Sequence, residues 1–304
     1  MIDDDNLIDK KPTTYFGVMP VPIDADCYNM NHKHRGKCVI FNHEEFDGKA
    51  KKRENSRIDV IRLHQSFFRL GFDVEIQNDL KYVEVMDKIK KVSQYDHTDN
   101  DCLCIIVLTH GDKKNMIWAK DIAYKSKKIW KPFTADKCPT LAGKPKLFFF
   151  QTCRGNKVDR GIVLSSRTLL PSEATDNGNR SEVILQNSYS CRYRQQIGSK
   201  SYKIPTHADI LIAHSSVQGF RSWSDPVNGT WFIQCLCKVL NEKSTEMHLM
   251  DMWTLIKQKV ATEFATFNPM DKTMHDTKQM PSETSMLIRF VYFPPKLNEK
   301  ITTA

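Results

Sequence analysis

Lys146-Leu147-Phe148-Phe149-Phe150-Gln151-Thr152-Cys153-Arg154-Gly155 joins an unbroken apolar run to a cysteine. Leu147 to Phe150 form an apolar run too short for a helix and bounded by Pro145 and Gly155, which is the pattern of a buried strand. A cysteine set among polar and basic neighbours follows at once. A thiol at a rigid strand end, with a glycine that lets a substrate backbone approach, has the makings of a nucleophile. Upstream by 43 positions (153 − 110), His110 ends a second apolar run, Leu103 to Leu108, and precedes Gly111. Two core strands can bring that Cys and that His to one edge of a sheet. Taken singly, any of the nine cysteines reads better as a structural thiol.

The local string changes that balance. Gln151-Thr152-Cys153-Arg154-Gly155 resembles the caspase nucleophile signature, with Thr where Ala is usual, and Thr109-His110-Gly111 resembles the family's Ser-His-Gly element. The resemblance runs from Tyr28 to Phe293 and includes Asn31-His32-Lys33-His34-Arg35-Gly36, Thr134-Ala135-Asp136, Gly143-Lys144-Pro145-Lys146-Leu147 and Gly229-Thr230-Trp231-Phe232-Ile233-Gln234. It is strongest toward insect effector caspases. It implies an α/β three-layer sandwich: a six-stranded, mostly parallel sheet with helices on both faces.

Composition narrows the alternatives. The chain has 304 residues, enough for one large domain or two ordinary ones. It contains no run of 18 apolar residues, so no membrane span is expected, and its acidic start, Met-Ile-Asp-Asp-Asp-Asn, is unlike a signal peptide. A cytoplasmic protein is expected. Cys102-x-Cys104 and Cys235-x-Cys237 are too tight for zinc pairs and lie in apolar runs, so reduced thiols, no metal and no cofactor are expected. The net charge of +9 comes with short basic clusters, Lys49–Arg53 and Lys125–Lys128, that lack an aromatic stripe or a nucleic-acid motif. A basic surface that steers acidic substrates is the better reading than nucleic-acid binding.

In order, residues 1–27 read as a short arm and 28–164 as a large catalytic unit. Lys37 to Phe41 is the first strand. Ser56 to Gly71 is a helix, with Ser56 as a possible N-cap and Ile58, Ile61, Leu63, Phe67 and Leu70 as its apolar positions. Phe72 to Ile76 is a strand, and Leu80 to Val92 is a helix with Leu80, Val83, Met86, Ile89 and Val92 spaced three apart. Cys102 to Thr109 and Pro145 to Thr152 are central strands. Alternation of strands and helices implies parallel pairing, with functional groups gathering beyond the carboxyl ends of the strands, where His110 and Cys153 both fall. Residues 165–200 are rich in Ser, Asn, Arg and Gln and read as a linker. Residues 201–304 then carry a strand at 208–213, helices at 231–240 and 247–264, and a final strand at 285–293. That apolar edge wants a partner, and the resemblance implies one: a second protomer, giving a dimer of cleaved heterodimers.

The resemblance also implies roles. Cys153 is the nucleophile and His110 the proton carrier, oriented by a backbone carbonyl near Lys51; N–H groups of Gly111 and Cys153 form the oxyanion hole. Arg53 and Gln151 supply two of the three groups that hold a substrate Asp at P1. The third, an Arg after the Ser222-Trp223 pair, is Ser224 here. Ser222, Trp223, Trp231 and Phe267 match other substrate-binding positions, Arg221 replaces a usual aromatic, and compensation by Arg221 is conceivable but faces the wrong way in an extended strand. Glu173-Ala174-Thr175-Asp176 resembles a caspase cleavage site, which implies a zymogen cut after Asp176; Asp26 is a trimming candidate by position alone. The expected function is Asp-directed proteolysis in apoptosis, with protein substrates and with upstream caspases or inhibitor-of-apoptosis proteins as partners. The Ser224 departure keeps open a second reading, a weakened regulator or decoy that binds other caspases or their inhibitors.

Overall fold

Leu103–Leu108 and Lys146–Gln151 are buried at every position, which a strand achieves only when both faces of its sheet are covered. A computed structural model describes residues 17, 19–48, 50–164 and 202–296; Asp176, the rest of the 165–200 linker and most of the 1–27 arm lie outside them. The large unit runs β1 Lys37–Asn42, α1 Ser56–Arg69, β2 Asp73–Asn78, α2 Tyr82–Ser93 and β3 Leu103–Leu108. Short strands β4 Gly111–Asp112, β5 Met116–Trp118 and β6 Ala123–Lys125 follow, then a one-turn helix α3 Lys127–Trp130 and β7 Lys146–Gln151. The small unit holds β8 Ile210–His214, β9 Ser224–Asp225, β10 Gly229–Thr230, α4 Trp231–Lys243, α5 Leu249–Glu263 and β11 Ser282–Ser285.

Six of these strands form one sheet in the order β11-β8-β7-β3-β1-β2, parallel throughout except at β11. Alternate residues face opposite layers. Cys38, Ile40, Cys104, Ile106 and Phe149 meet α1, α4 and α5, which contribute Leu63, Phe67, Phe232, Leu236, Trp253 and Ile256. Val39, Phe41, Ile105, Val107, Phe148 and Phe150 meet α2 and α3 through Val85, Ile89, Val92 and Ile129. The expected three-layer architecture is present.

Lys146 opens β7 inside the core. Its ammonium, fully buried, donates to the Leu141 and Lys144 carbonyls at 3.1 and 3.0 Å and lies 3.7 Å from Asp209 at the start of β8. Burial pulls its pKa down to about 8, with Asp209 pulling the other way. Tyr28 adds its hydroxyl to the same Asp209 at 2.8 Å.

Six expectations need correction. In α2 the inward residues are Val85, Ile89 and Val92, and Val83 is 64% exposed, because the true stripe advances by four and three, not by three alone. In α1, Ile61 is exposed and Val60 buried for the same reason. Ser56 is the first helical residue and is buried; Asn55 occupies the cap position without a side-chain bond. The last strand is Ser282–Ser285, and its pairing with the β8 segment is carried on at Met286, whose N–H donates to the Ile210 carbonyl and whose carbonyl accepts from Asp209 N–H, both at 2.8 Å. After it, Val291 and Phe293 turn into the core, and Phe290 exchanges bonds with the arm through Asp26 O and Tyr28 N–H. Asp26 therefore lies between buried Ala25 and Cys27 in a bonded segment, a poor site for a protease that needs free extended chain. Seven described cysteines are free thiols, whereas Cys27 is disulfide-bonded, against the expectation of reduced thiols throughout. Among the described residues no helix is long and apolar enough to cross a membrane.

Beyond β1, His43 is fully buried with neither ring nitrogen hydrogen-bonded among the described residues. Burial pushes its pKa down to about 4, mainly by penalising the charged ring, and His214 falls to about 3 through burial and Arg154. The unfolded chain takes up these protons first, near pH 6.5, so stability falls as pH drops from 6.5 toward 4. The shift from 6.5 to about 4 caps the His43 share at about 3 kcal/mol. Asp59, raised to about 6 by burial, works in the opposite direction. Replacing His43 with Leu should therefore flatten the fall; urea midpoints between pH 7 and 4.5 with the same slope as the parent's would refute this account.

Candidate active site

The β3–β7 register places Leu108 opposite Gln151, so His110 and Cys153 leave adjacent strands at the same end of the sheet. Thr109 N–H donates to Gln151 O at 3.2 Å, which ties the two exits together. Gly111 then passes so close to the Cys153 backbone that a Cβ there would sit 2.1 Å from Cys153 O and 2.9 Å from Thr152 Cβ. Only glycine fits. Thr152 itself is buried, its N–H donating to Ser215 Oγ and its carbonyl accepting from the same hydroxyl at 3.2 and 3.0 Å, so the unusual Thr is accommodated without displacing Cys153.

His110 is half-buried. Its Nε2–H donates to the Lys51 carbonyl at 2.6 Å, at the position the resemblance implied, and this bond leaves Nδ1 as the basic nitrogen. Phe46 packs on the ring with centroids 4.8 Å apart. Burial lowers the His110 pKa, the Lys51 bond raises it, and Arg53 lowers it again; the result is below the ordinary value. Cys153 Sγ lies 3.7 Å from Ser222 O and 3.4 Å from Ser222 N.

Arg53 and Gln151 flank the thiol. Arg53 Nη1 donates to His43 O at 3.0 Å, and its charge, opposed by burial, is supported by Asp59 and then by the Cys153 sulfur. Gln151 Nε2 donates to Ser222 Oγ at 2.8 Å, while its buried Oε1 has no partner among the described residues. Because a hydroxyl both gives and accepts, turning the amide over keeps the Ser222 bond and frees an N–H pair for a carboxylate. Ser224 is exposed in the β9–β10 ladder opposite Thr230. Arg221 does not fill the gap: its Nε donates to Asn156 O at 3.4 Å.

Trp223 and Trp231 face one another with centroids 6.4 Å apart, and Phe264 stacks on Trp231 at 5.3 Å. Phe267 does not join them; it is 85% exposed and meets His275 instead. Two supports were not legible in the sequence. Gln279, buried, accepts from Trp223 N–H at 2.6 Å and donates to Ser215 O at 2.7 Å, which pins the substrate wall to the end of β8. Asp59, buried on α1, takes Thr230 N–H and Thr230 Oγ–H at 2.9 Å each, and a Cβ on Gly229 would lie 2.4 Å from it. No local pattern marks either residue. Among the described residues no cluster of His, Cys, Asp and Glu is placed to hold a metal ion.

Adding a methyl at 111 must move the Cys153 carbonyl. Gly111→Ala should lower kcat/KM by about 100-fold while the protein still folds, as steady-state assay beside a thermal melt would report; near-parental turnover would show that the close approach is dispensable.

A family model for the caspase domain matches residues 35–292. The chain is 43% identical over 279 residues to Caspase-1 of Spodoptera frugiperda, covering 91% of this chain and 85% of that protein. It is 38% identical to caspase drICE of Drosophila melanogaster, with coverage of 88% and 73%, and 36% identical to Caspase-7 of Gallus gallus, with coverage of 88% and 79%. The crystal structure of Caspase-1 from Spodoptera frugiperda superposes with a TM-score of 0.80 at 42% identity, spanning 92% of this chain and 100% of that one. This chain belongs to the caspase family, the cysteine endopeptidases that cut proteins after Asp, and it is of the effector type that acts in apoptosis.

Proposed function

We propose that Cys153 and His110 carry out this cleavage and that Arg53 and Gln151 hold the P1 carboxylate without a second arginine. The observation that carries the assignment is the approach of Gly111 to the Cys153 backbone at the paired ends of β3 and β7. Cys153 Sγ attacks the carbonyl carbon and its proton passes to His110 Nδ1. Gly111 and Cys153 N–H groups receive the developing oxyanion, and the imidazolium gives its proton to the leaving amine. His110 then takes a proton from water, which attacks the thioester and returns the thiol. Ser222, Trp223, Ser224 and Trp231 form the wall on the acyl side; Phe267, far exposed, would have to move to touch substrate.

In this reading the chain is made as a zymogen. Residues 1–27 are an arm, 28–164 the large subunit and 201–304 the small one, separated by a cut at Asp176 in the 165–200 linker. The caspase family dimerises; here a second protomer would pair beside β11, where Ile288 and Phe290 stay about half exposed, 50% and 48%. Upstream caspases and inhibitor-of-apoptosis proteins are the partners, and the cytoplasm the compartment, that fit such an enzyme.

One feature supports the alternative of a regulator with weak turnover: Ser224 leaves the P1 carboxylate with a single guanidinium, and Arg221 is engaged elsewhere. Loss of one member of a buried charge cluster costs about 2–5 kcal/mol. Ser224→Arg should accordingly raise kcat/KM on an Asp-Glu-Val-Asp fluorogenic peptide by at least about 30-fold, and Cys153→Ala should abolish turnover. A silent parent rescued by Ser224→Arg would favour the regulator; turnover that survives Cys153→Ala would sink the assignment of the nucleophile.

A further inference from the structure

One residue past Cys153, at Arg154, begins a recess of about 460 Å³ lined also by Lys113, Lys114, Asn156, Lys157 and the backbone at Gly219. Lys113 and Lys114 follow Gly111 by two and three residues; Arg154 and Lys157 follow Cys153 by one and four. The recess is therefore lined by residues one to four places beyond Gly111 and Cys153, the two whose N–H groups would receive the scissile carbonyl oxygen. Its lining holds four cations and no carboxylate. None of the four is ion-paired among the described residues, although lysines elsewhere, such as Lys52, Lys88, Lys257 and Lys259, have their acids.

The recess is held in shape by neutral groups. Arg154 donates to Ser216 O, Ser282 Oγ and Asn115 Oδ1 at 3.4, 3.2 and 2.9 Å, and its buried Nε has no partner among the described residues. Burial opposes the Arg154 charge, and no carboxylate is among the causes that act on it. Asn115 and Lys114 occupy the left-handed region, with φ of 57° and 59°, in the turn between β4 and β5. Two consecutive non-glycine residues in that region are costly and persist only where the surroundings hold them; the Asn115–Arg154 bond is such a hold. Lys157 sits over the Phe220 ring at 5.8 Å, and the 154–157 segment is laddered to 219–221.

We propose that this recess is a subsite for the leaving half of the substrate, selecting acidic residues at P2′ to P4′. The inference rests on the reading of Cys153 as nucleophile. With P1 held by Arg53 and Gln151, the chain beyond the scissile bond must leave by the other side, and three extended residues reach about 10 Å. Carboxylates there would meet cations that no described residue neutralises, gaining affinity and encounter rate together.

The test uses the processed enzyme and quenched peptides that share Asp-Glu-Val-Asp-Gly and then carry Glu-Asp-Glu, Ser-Ala-Ser or Lys-Lys-Lys. A reporter that ends at P1 with a fluorogenic amine serves alongside, since it cannot touch the recess. The acidic peptide should show a kcat/KM about 10-fold above the lysine peptide at low salt, the ratio falling toward unity in about 0.5 M NaCl. Lys113→Glu with Lys157→Glu should invert the order while leaving the P1 reporter unchanged, which also shows that the variant folds. Equal rates for the three peptides, or an order that survives charge reversal, overturn the subsite but leave the nucleophile assignment standing. No turnover of any substrate, the P1 reporter included, overturns both.

Discussion

Parallel pairing of Leu103–Leu108 with Lys146–Gln151 is the constraint on which everything else in this protein depends. Side chains alternate along a strand, so a slip of one residue would exchange the two faces of either strand and send its apolar residues into the wrong layer. Both faces are packed, by different sets of helices, and the register is therefore pinned from two sides. The same register decides where each strand runs out. His110 and Cys153 emerge together because Ile106 and Phe149 must pair; the chemistry inherits its geometry from the core.

What the pairing does not settle is how substrate is gripped. In the proposed reading that task falls to the loop from Ser215 to Thr230, which lies outside the main sheet and is fastened by three buried polar side chains, Ser215, Gln279 and Asp59. Each bonds to backbone, so the wall keeps its position whatever stands at 221 or 224. A scaffold built this way tolerates change at the contact residues more readily than at the fasteners. The exposed Ser224 and the diverted Arg221 are changes of the tolerated kind, and they alter the electrostatics of the pocket without loosening its frame.

The sequence revealed the continuous, apolar elements and hid those whose reason lies elsewhere in the chain. β3 and β7 announce themselves through unbroken apolar runs, and the Cys and His sit where those runs stop. β11, Ser-Glu-Thr-Ser, carries no apolar residue because an antiparallel edge exposes much of itself to water. The β4–β6 sheet is too short to establish a period. A run of threes fits the α2 sequence while the helix repeats every 3.6 residues, so the stripe expected from spacing falls out of phase with the buried one. Asp59 and Gln279 gave no signal at all, since their partners are backbone groups 171 and 64 residues away. Phe267 was matched to a family position, and position alone did not bring it to the cluster that Phe264 joins.

The middle of the sheet is also its seam. β7 and β8 pair side by side, yet residues 152–209 separate them in the chain, and the seam is bolted by buried Lys146, Asp209 and Tyr28. A peptide-bond break between the units removes none of these contacts, so the paired sheet persists through it. The unfolded state registers it fully: two free chains have to find each other before the central strands can pair, and refolding becomes a second-order process. An intact chain can be denatured and recovered at any dilution, whereas a nicked one is easily kept and hard to remake. Cutting the linker would thus write an irreversible mark into the molecule's folding history while leaving its architecture as it was.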